Sequence, residues 1–214
     1  MDIEEEVKFP TKDSEWIVKV LIGGVLGIIP IINLIEYGYI LKVMKGAIDG
    51  NPGMPKWDEW GNLFINGLIG FVIWLIYMII PILIVSVSAG GIMAAAFTGN
   101  MNLMAGMMAG AIGGILIGLL LALVFGFMVP MALAMYTKEN SFGAAFRFGE
   151  VFSRIKSVFG DYVTVYIVLI VLLFILGLLN FIPLLGFLIM IFGIFYVSVV
   201  TFNMFGKVYT RSSA

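Results

Sequence analysis

Residues 60–137 read WGNLFINGLIGFVIWLIYMIIPILIVSVSAGGIMAAAFTGNMNLMAGMMAGAIGGILIGLLLALVFGFMVPMALAMYT. This stretch contains no Asp, Glu, Lys, Arg or His, and residues 162–206 form a second uncharged run. A helix needs only about 20 apolar residues to cross roughly 30 Å of hydrocarbon, so both runs are long enough to span a bilayer. They predict an all-α, polytopic membrane helical bundle.

Composition narrows the function classes. The chain is 62% hydrophobic, with a mean hydropathy of +1.12, which is typical of polytopic membrane proteins. Cys and His are absent, which removes disulfides, thiolate and imidazole chemistry and the usual zinc, haem and iron–sulfur ligands. The net charge of −1 gives no reason to expect nucleic acid. We therefore expect no cofactor, no metal site and no enzyme activity.

Charged residues divide the chain into segments. They cluster at 2–19, 36–59, 138–161 and 207–211, and the apolar stretches between and within these clusters are the candidate spans. We predict about five spans, within a range of four to six, in a single membrane-embedded domain over residues 1–214. An acidic tail at 1–15, without the basic region of a signal peptide, precedes them. The predicted spans are 17–41, 64–88, 104–136, 162–180 and 184–206.

Two connections leave alternatives open. Segment 17–41 contains Gly27-Ile28-Ile29-Pro30, which resembles the turn at Asn180-Phe181-Ile182-Pro183, so it is either one kinked crossing or a re-entrant pair of short helices. The uncharged stretch 89–104 is either a loop on the far face or a re-entrant piece buried against the bundle.

Basic residues orient the bundle. The 42–56 loop, the 138–156 loop and the C-terminal tail carry the basic residues, while the loops at 89–103 and 181–183 have none. By the positive-inside rule the basic loops and the C-terminus face the cytoplasm of a cell membrane. The N-terminus is outside if segment 17–41 crosses and inside if that segment is re-entrant.

Small residues recur every four positions in the third span. Such rows let two helix backbones approach closely in lipid, where association rests on van der Waals packing. The row predicts helix packing within one protomer, an oligomer interface with a second copy or another membrane protein, or a pore lining. Its members are Gly106, Gly110, Gly114, Gly118, Ala122 and Gly126.

Residues 141–160 have the pattern of an interfacial amphipathic helix, with Ser141 as its N-cap. Arg147 and Arg154 fall on the polar face and are predicted membrane-interface anchors, either as a passive surface or as a docking face for anionic lipid or a cytoplasmic partner. The opposite face is predicted to hold Phe142, Ala145, Phe146, Phe152, Ile155 and Phe159.

A tryptophan loop precedes the second span. Glycines and prolines at 46–55 force a turn, after which Trp57 and Trp60 are predicted anchors at the headgroup level. The segments Gly38-Tyr39-Ile40-Leu41-Lys42-Val43, Pro55-Lys56-Trp57-Asp58-Glu59-Trp60 and Tyr77-Met78-Ile79-Ile80-Pro81 resemble the prokaryotic, largely archaeal membrane proteins of domain of unknown function 4013. The likeness extends to Pro130 and Gly206-Lys207-Val208-Tyr209. It implies the fold and the membrane location, and it implies no activity.

Glu36 is the one carboxylate embedded in an apolar segment, with Asn33 one turn before it. A charge in lipid is costly, so both residues are candidates for an intramembrane functional site, although Glu36 could also lie near the surface or pair with a lysine. We expect a non-enzymatic membrane protein that assembles with itself or a partner. The alternatives are a small transporter or channel and, third, a lipid-modifying enzyme.

Overall fold

The computed structural model describes residues 2–182 and 185–213. Helices make up most of this part of the chain, and it contains no β-strand. The α-helices are α1 (Ile3–Val7), α2 (Trp16–Gly27), α3 (Asn33–Ile48), α4 (Trp60–Phe97), α5 (Met101–Glu139), α6 (Phe148–Ser157), α7 (Phe159–Leu179) and α8 (Leu185–Arg211), with short 3-10 helices at Pro10–Lys12 and Phe142–Phe146.

Four of the helices in the described ranges are long and apolar enough to cross a membrane: α4, α5, α7 and α8. This agrees with the lower end of the predicted range of spans and confirms a membrane-spanning, all-helical protein. The predicted fourth span, 162–180, corresponds closely to α7 (Phe159–Leu179). The turn predicted around Pro183 falls partly outside the described residues.

The chain forms two compact units. One contains the residues up to Phe71 and those from Pro130 onward, and the other contains Val72–Val129. In the first unit α8 lies at the centre and packs against α2, α3 and α7. The second half of α8 is largely buried, and its fully buried side chains include Val199, Val200 and Met204.

The first apolar segment is two helices. Helix α2 has 12 residues and α3 has 16, and the two pack against each other across a turn at 28–32. At about 1.5 Å per residue, neither covers the roughly 30 Å of hydrocarbon. The single kinked crossing is therefore wrong, and the two-helix alternative describes the structure. The turn places Ile31 at a φ of 72°, a conformation that a β-branched residue rarely adopts.

Helices α4 and α5 are longer than predicted. Most of the stretch 89–104 is helix, because α4 continues to Phe97 and α5 begins at Met101, and the predicted connection is only the turn at 98–100. Local signals set this tight turn. Gly99 has a φ of 66°, and the Asn100 side chain accepts hydrogen bonds from the backbone amides of Asn102 and Leu103, both at 3.1 Å. The alanines and methionines around it favour helix.

The predicted amphipathic helix at 141–160 is wrong in its continuity. A 3-10 helix occupies Phe142–Phe146, α6 occupies Phe148–Ser157, and the backbone leaves helical geometry at Arg147 and Val158. Ser141 makes no side-chain capping hydrogen bond. Glycines at 143, 149 and 160 weaken helical continuity here.

The predicted apolar face of this connector is divided in the structure. Ala145, Val151 and Ile155 are buried, whereas Phe142, Phe152 and Phe159 are exposed. The non-helical residues Arg147 and Val158 rotate the short helices relative to one another. A single helical stripe therefore does not describe which side chains of the connector are buried. The aromatic side chains remain an exposed apolar set along the connector.

Candidate functional sites

The glycine row divides into two halves that have different surroundings. A β-carbon at Gly114 would overlap the Ser88 hydroxyl, and one at Gly118 would lie 2.5 Å from a methyl of Val85. At Gly126 the nearest atom would be the Met78 methyl, at 3.4 Å. These three glycines therefore face α4 within the hairpin. Their small size permits the close approach of α4 and α5.

The other half of the row is open. A β-carbon at Gly106 or Gly110 would meet no atom within 4 Å among the described residues, and the same holds for the neighbouring Gly113. From Met101 to Gly110 every residue except Met104 is exposed. This part of α5 thus presents a surface of small and apolar residues that the rest of the described chain does not cover.

Sequence reasoning missed the glycines with the closest backbone contacts. A β-carbon at Gly38 would overlap the carbonyl group of Leu63, and one at Gly67 would overlap that of Leu34, so α3 and α4 touch backbone to backbone. These glycines are not part of a four-residue row. Because the two glycines belong to different helices, no sequence pattern links them. Their role is visible only from the packing of α3 against α4.

Trp57 and Trp60 have different surroundings. Trp57 is partly buried, stacks on Tyr39 with ring centroids 4.0 Å apart, and donates its indole N–H to the Lys19 carbonyl at 3.2 Å. Trp60 is 45% exposed, and its indole N–H donates to the Trp57 carbonyl at 3.1 Å. Trp57 therefore packs against the hydrophobic core with part of its ring still exposed. For both tryptophans the anchor role stays a prediction.

The two predicted arginine anchors make contacts within the protein. Arg147 pairs with Glu139 and, at 3.2 Å, with Glu150. Arg154 pairs with Glu150 at 2.8 Å and lies over the Tyr209 ring, 5.0 Å from its centroid. These pairs join the connector to α5 and α8. A contact of either arginine with lipid phosphate would compete with them.

Glu36 lies in an apolar cleft between α2, α3 and α8, with a volume of about 400 Å³. It is partly buried, and no described residue forms a hydrogen bond or ion pair with it. Asn33 does not line this cleft and is exposed at the first residue of α3, so the two predicted polar residues do not form one site. The cleft is lined by Gly23, Gly24, Gly27, Ile28, Glu36, Asn180, Phe187, Met190, Ile191, Ile194 and Phe195.

A second, polar cleft of about 380 Å³ lies between α3, the start of α4 and the end of α5. Tyr136 donates its hydroxyl to the Asn66 side-chain oxygen at 3.0 Å, and Lys42 pairs with Asp58 at 2.7 Å beside it. Asn66 lies within the predicted span 64–88, and its sequence context gives it no special role. Its partner, 70 positions away, could not be identified without the fold. The polar lining consists of Lys42, Lys45, Glu59, Asn62, Asn66, Tyr136, Thr137 and Asn140.

The acidic N-terminal segment is docked on α8. The buried Glu6 carboxylate accepts hydrogen bonds from the Lys207 ammonium at 2.8 Å and from the Asn203 amide at 3.0 Å. Tyr196 donates its hydroxyl to the Val7 carbonyl at 2.7 Å. A charge-assisted network of this kind fixes the segment against the end of α8, a role that its composition did not predict.

No group of three or more acidic side chains that could hold a metal ion occurs within residues 2–182 and 185–213. Comparison with known proteins gives a family match over residues 22–185, to the family described as a protein of unknown function (DUF4013). No curated protein and no solved structure matches the chain. The matched range begins within α2 and covers α3, the α4–α5 hairpin, the connector and α7. The chain therefore belongs to the DUF4013 family.

Proposed function

We propose that this protein is a non-enzymatic membrane protein that acts by associating with a second copy of itself through the α4–α5 hairpin. The observation that supports this most directly is the open half of the glycine row. Gly106 and Gly110 leave a helix surface without side chains, and no described residue fills it. In lipid such a surface favours close contact with another helix.

The length of the hairpin also supports association. Helices α4 and α5 have 38 and 39 residues, which corresponds to roughly 57 Å at about 1.5 Å per residue. A tilt of about 40°, near the upper end of what membrane helices adopt, still leaves a projection of roughly 44 Å against about 30 Å of hydrocarbon. Apolar helix therefore extends into the headgroup layer, where a partner hairpin would shield it from water.

Cysteine cross-linking tests the proposal, because the natural chain contains no cysteine. Gly110→Cys places a thiol on the open surface, and we expect copper phenanthroline to yield a disulfide-linked dimer in native membranes. Gly177→Cys is the matched control, since Gly177 is also an open glycine in a span but lies in α7. Equal cross-linking at both positions, or none at position 110, would contradict the proposal.

We further propose that the basic loops at 42–56 and 138–156, the C-terminus and the N-terminus face the cytoplasm. The 2.8 Å pair between Glu6 and Lys207 supports a common side for both termini. The short α2–α3 pair supports it too, because a segment that does not cross leaves the N-terminus on the basic side. Labelling of Lys12→Cys and Thr98→Cys with an impermeant maleimide on intact cells should modify only Thr98→Cys.

A second candidate function is a small transporter or channel, and the specific observation that favours it is Glu36 in its cleft. Ionisable residues inside membrane helices are often part of substrate or ion pathways. Flux of several ions and solutes in proteoliposomes should then fall on Glu36→Gln. The same flux for the variant and for the wild-type protein would count against transport.

A further inference from the structure

The Glu36 cleft has the composition of a binding site that the proposed association does not use. Its walls are mainly apolar: α8 contributes Phe187, Met190, Ile191, Ile194 and the buried Phe195. Among the described residues that line the cleft, Asn180 is the only one besides Glu36 with a polar side chain. Ligand sites in proteins are commonly clefts of about 300–1,000 Å³ with apolar walls and few polar groups, and about 400 Å³ falls at the small end of that range.

The Glu36 carboxylate lies beside Gly27 of α2. A β-carbon at Gly27 would lie 3.9 Å from the Glu36 carboxyl carbon, so Glu36 lies directly against the surface of α2. Lysines of α2 and α3 are engaged elsewhere. Lys19 pairs with Asp13 at 2.6 Å, and Lys42 pairs with Asp58 at 2.7 Å. No described side chain neutralises Glu36.

An isolated carboxylate among apolar side chains is costly, and the cost is removed by a proton or by a cation. Metal cations such as Ca²⁺ take six to eight oxygen ligands, and this cleft offers one carboxylate and one amide. An organic cation suits it better. Its charge would pair with Glu36, and its apolar substituents would contact the apolar walls.

We propose that the cleft binds an ammonium cation that carries apolar substituents, with Glu36 as its counter-ion. The binding step forms no covalent bond. It goes beyond the proposed self-association, because the cleft lies between α2, α3 and α8 while the open glycines are in α5.

Titration calorimetry in a non-ionic detergent tests this with benzyltrimethylammonium as the probe. Neopentylbenzene, which has the same shape without the charge, is the matched neutral ligand. We expect the cation to bind the wild-type protein, and Glu36→Gln to weaken binding by roughly thirtyfold or more, as loss of one member of a buried charge pair does. Glu15→Gln, which removes an exposed carboxylate, should bind like the wild type.

Two results would overturn the proposal: no heat of binding for the wild-type protein, or equal affinity for wild type and Glu36→Gln. If Glu36→Gln does not fold, Met190→Trp narrows the cleft and keeps the charge, and it must also weaken binding. Repeating the titration in nanodiscs identifies the source of the natural cation. Competition by phosphatidylcholine but not phosphatidylglycerol indicates a lipid headgroup, and equal affinity in both indicates a soluble cation.

Discussion

Gly38 of α3 lies so close to Leu63 of α4 that a β-carbon at position 38 would overlap the Leu63 carbonyl group. A backbone carbonyl within a helix cannot move aside as a flexible side chain can. The contact between α3 and α4 therefore depends on the absence of a side chain at this position, and the same is true of Gly67 opposite Leu34.

Gly38→Ala should destabilise the protein by about 1–3 kcal/mol or more, the range typical of overpacking. Gly61→Ala is the matched control, because Gly61 lies in the first turn of α4 and its added methyl would touch no described residue within 4 Å. Alanine is also favoured over glycine in a helix, so this control should be neutral or stabilising. Thermal melting in detergent measures both, and a Gly38→Ala protein that melts like the wild type would refute the contact.

The Trp57–Tyr39 stack predicts that the two tryptophans differ in importance. Trp57→Ala removes a stacked ring and the hydrogen bond to the Lys19 carbonyl, and should cost roughly 3 kcal/mol. Trp60→Ala should cost clearly less, because Trp60 is 45% exposed. Melting temperatures in one detergent compare them. Similar losses of stability for both variants would mean that the packing of Trp57 contributes no more than that of Trp60.

The contacts of Glu6 with α8 should protect the N-terminal segment from proteolysis. Glu6→Gln leaves the Lys207 ammonium without its carboxylate partner and should cost about 2 kcal/mol, as hydrogen bonds to charged groups do. The segment should then be cleaved faster by trypsin at Lys8 and Lys12. Glu4→Gln is the control, because the Glu4–Lys8 pair is exposed and worth little. Unchanged cleavage in Glu6→Gln would contradict the docked segment.

The pair between Asp13 and Lys19 should make the stability of the folded protein depend on pH. The hydrogen bond from Lys19 holds the pKa of the Asp13 carboxyl below its ordinary value of 3.8. A lowered pKa in the folded state means that this pair stabilises the protein above about pH 4, and that the stabilisation is lost as the pH falls through the folded-state pKa.

The wild-type protein should therefore melt higher than Asp13→Asn at neutral pH, and the two melting temperatures should converge as the solution is acidified. Glu15→Gln, which removes an exposed carboxylate, is a suitable control for the general effect of losing one N-terminal negative charge. A gap between wild type and Asp13→Asn that stays constant down to the most acidic condition would contradict the assignment.

The sequence predicted those features that depend on the partition of residues between water and lipid. Charge-free runs gave the membrane location, the helical class and, in α7, the span itself, because the cost of charge in hydrocarbon acts on each residue independently of the fold. The extension of α4 and α5 through 89–104 had visible local signals in Gly99 and Asn100. Their capping role was missed because low charge and high glycine content also fit a loop.

The features that depend on which helices meet could not be predicted in this way. Glu36 was identified from its position in an apolar segment, but the walls of its cleft come from α2 and α8, which the sequence could not bring together. In the same way, Trp57 was predicted as a headgroup anchor because amphipathic rings are favoured at that level. Its contacts with Tyr39 and Phe195, which belong to two different helices, could not be predicted.

The open surface of α5 is proposed as a contact between copies of the protein, and the mass of the protein in lipid nanodiscs tests this most directly. The wild-type protein should have at least twice the protomer mass of 23.5 kDa, and Gly110→Leu, which adds a side chain where the protomer has room, should be a folded protein of 23.5 kDa. Gly177→Leu in α7 should keep the assembled mass. A wild-type protein of 23.5 kDa, or a Gly110→Leu variant that stays assembled, would contradict the account.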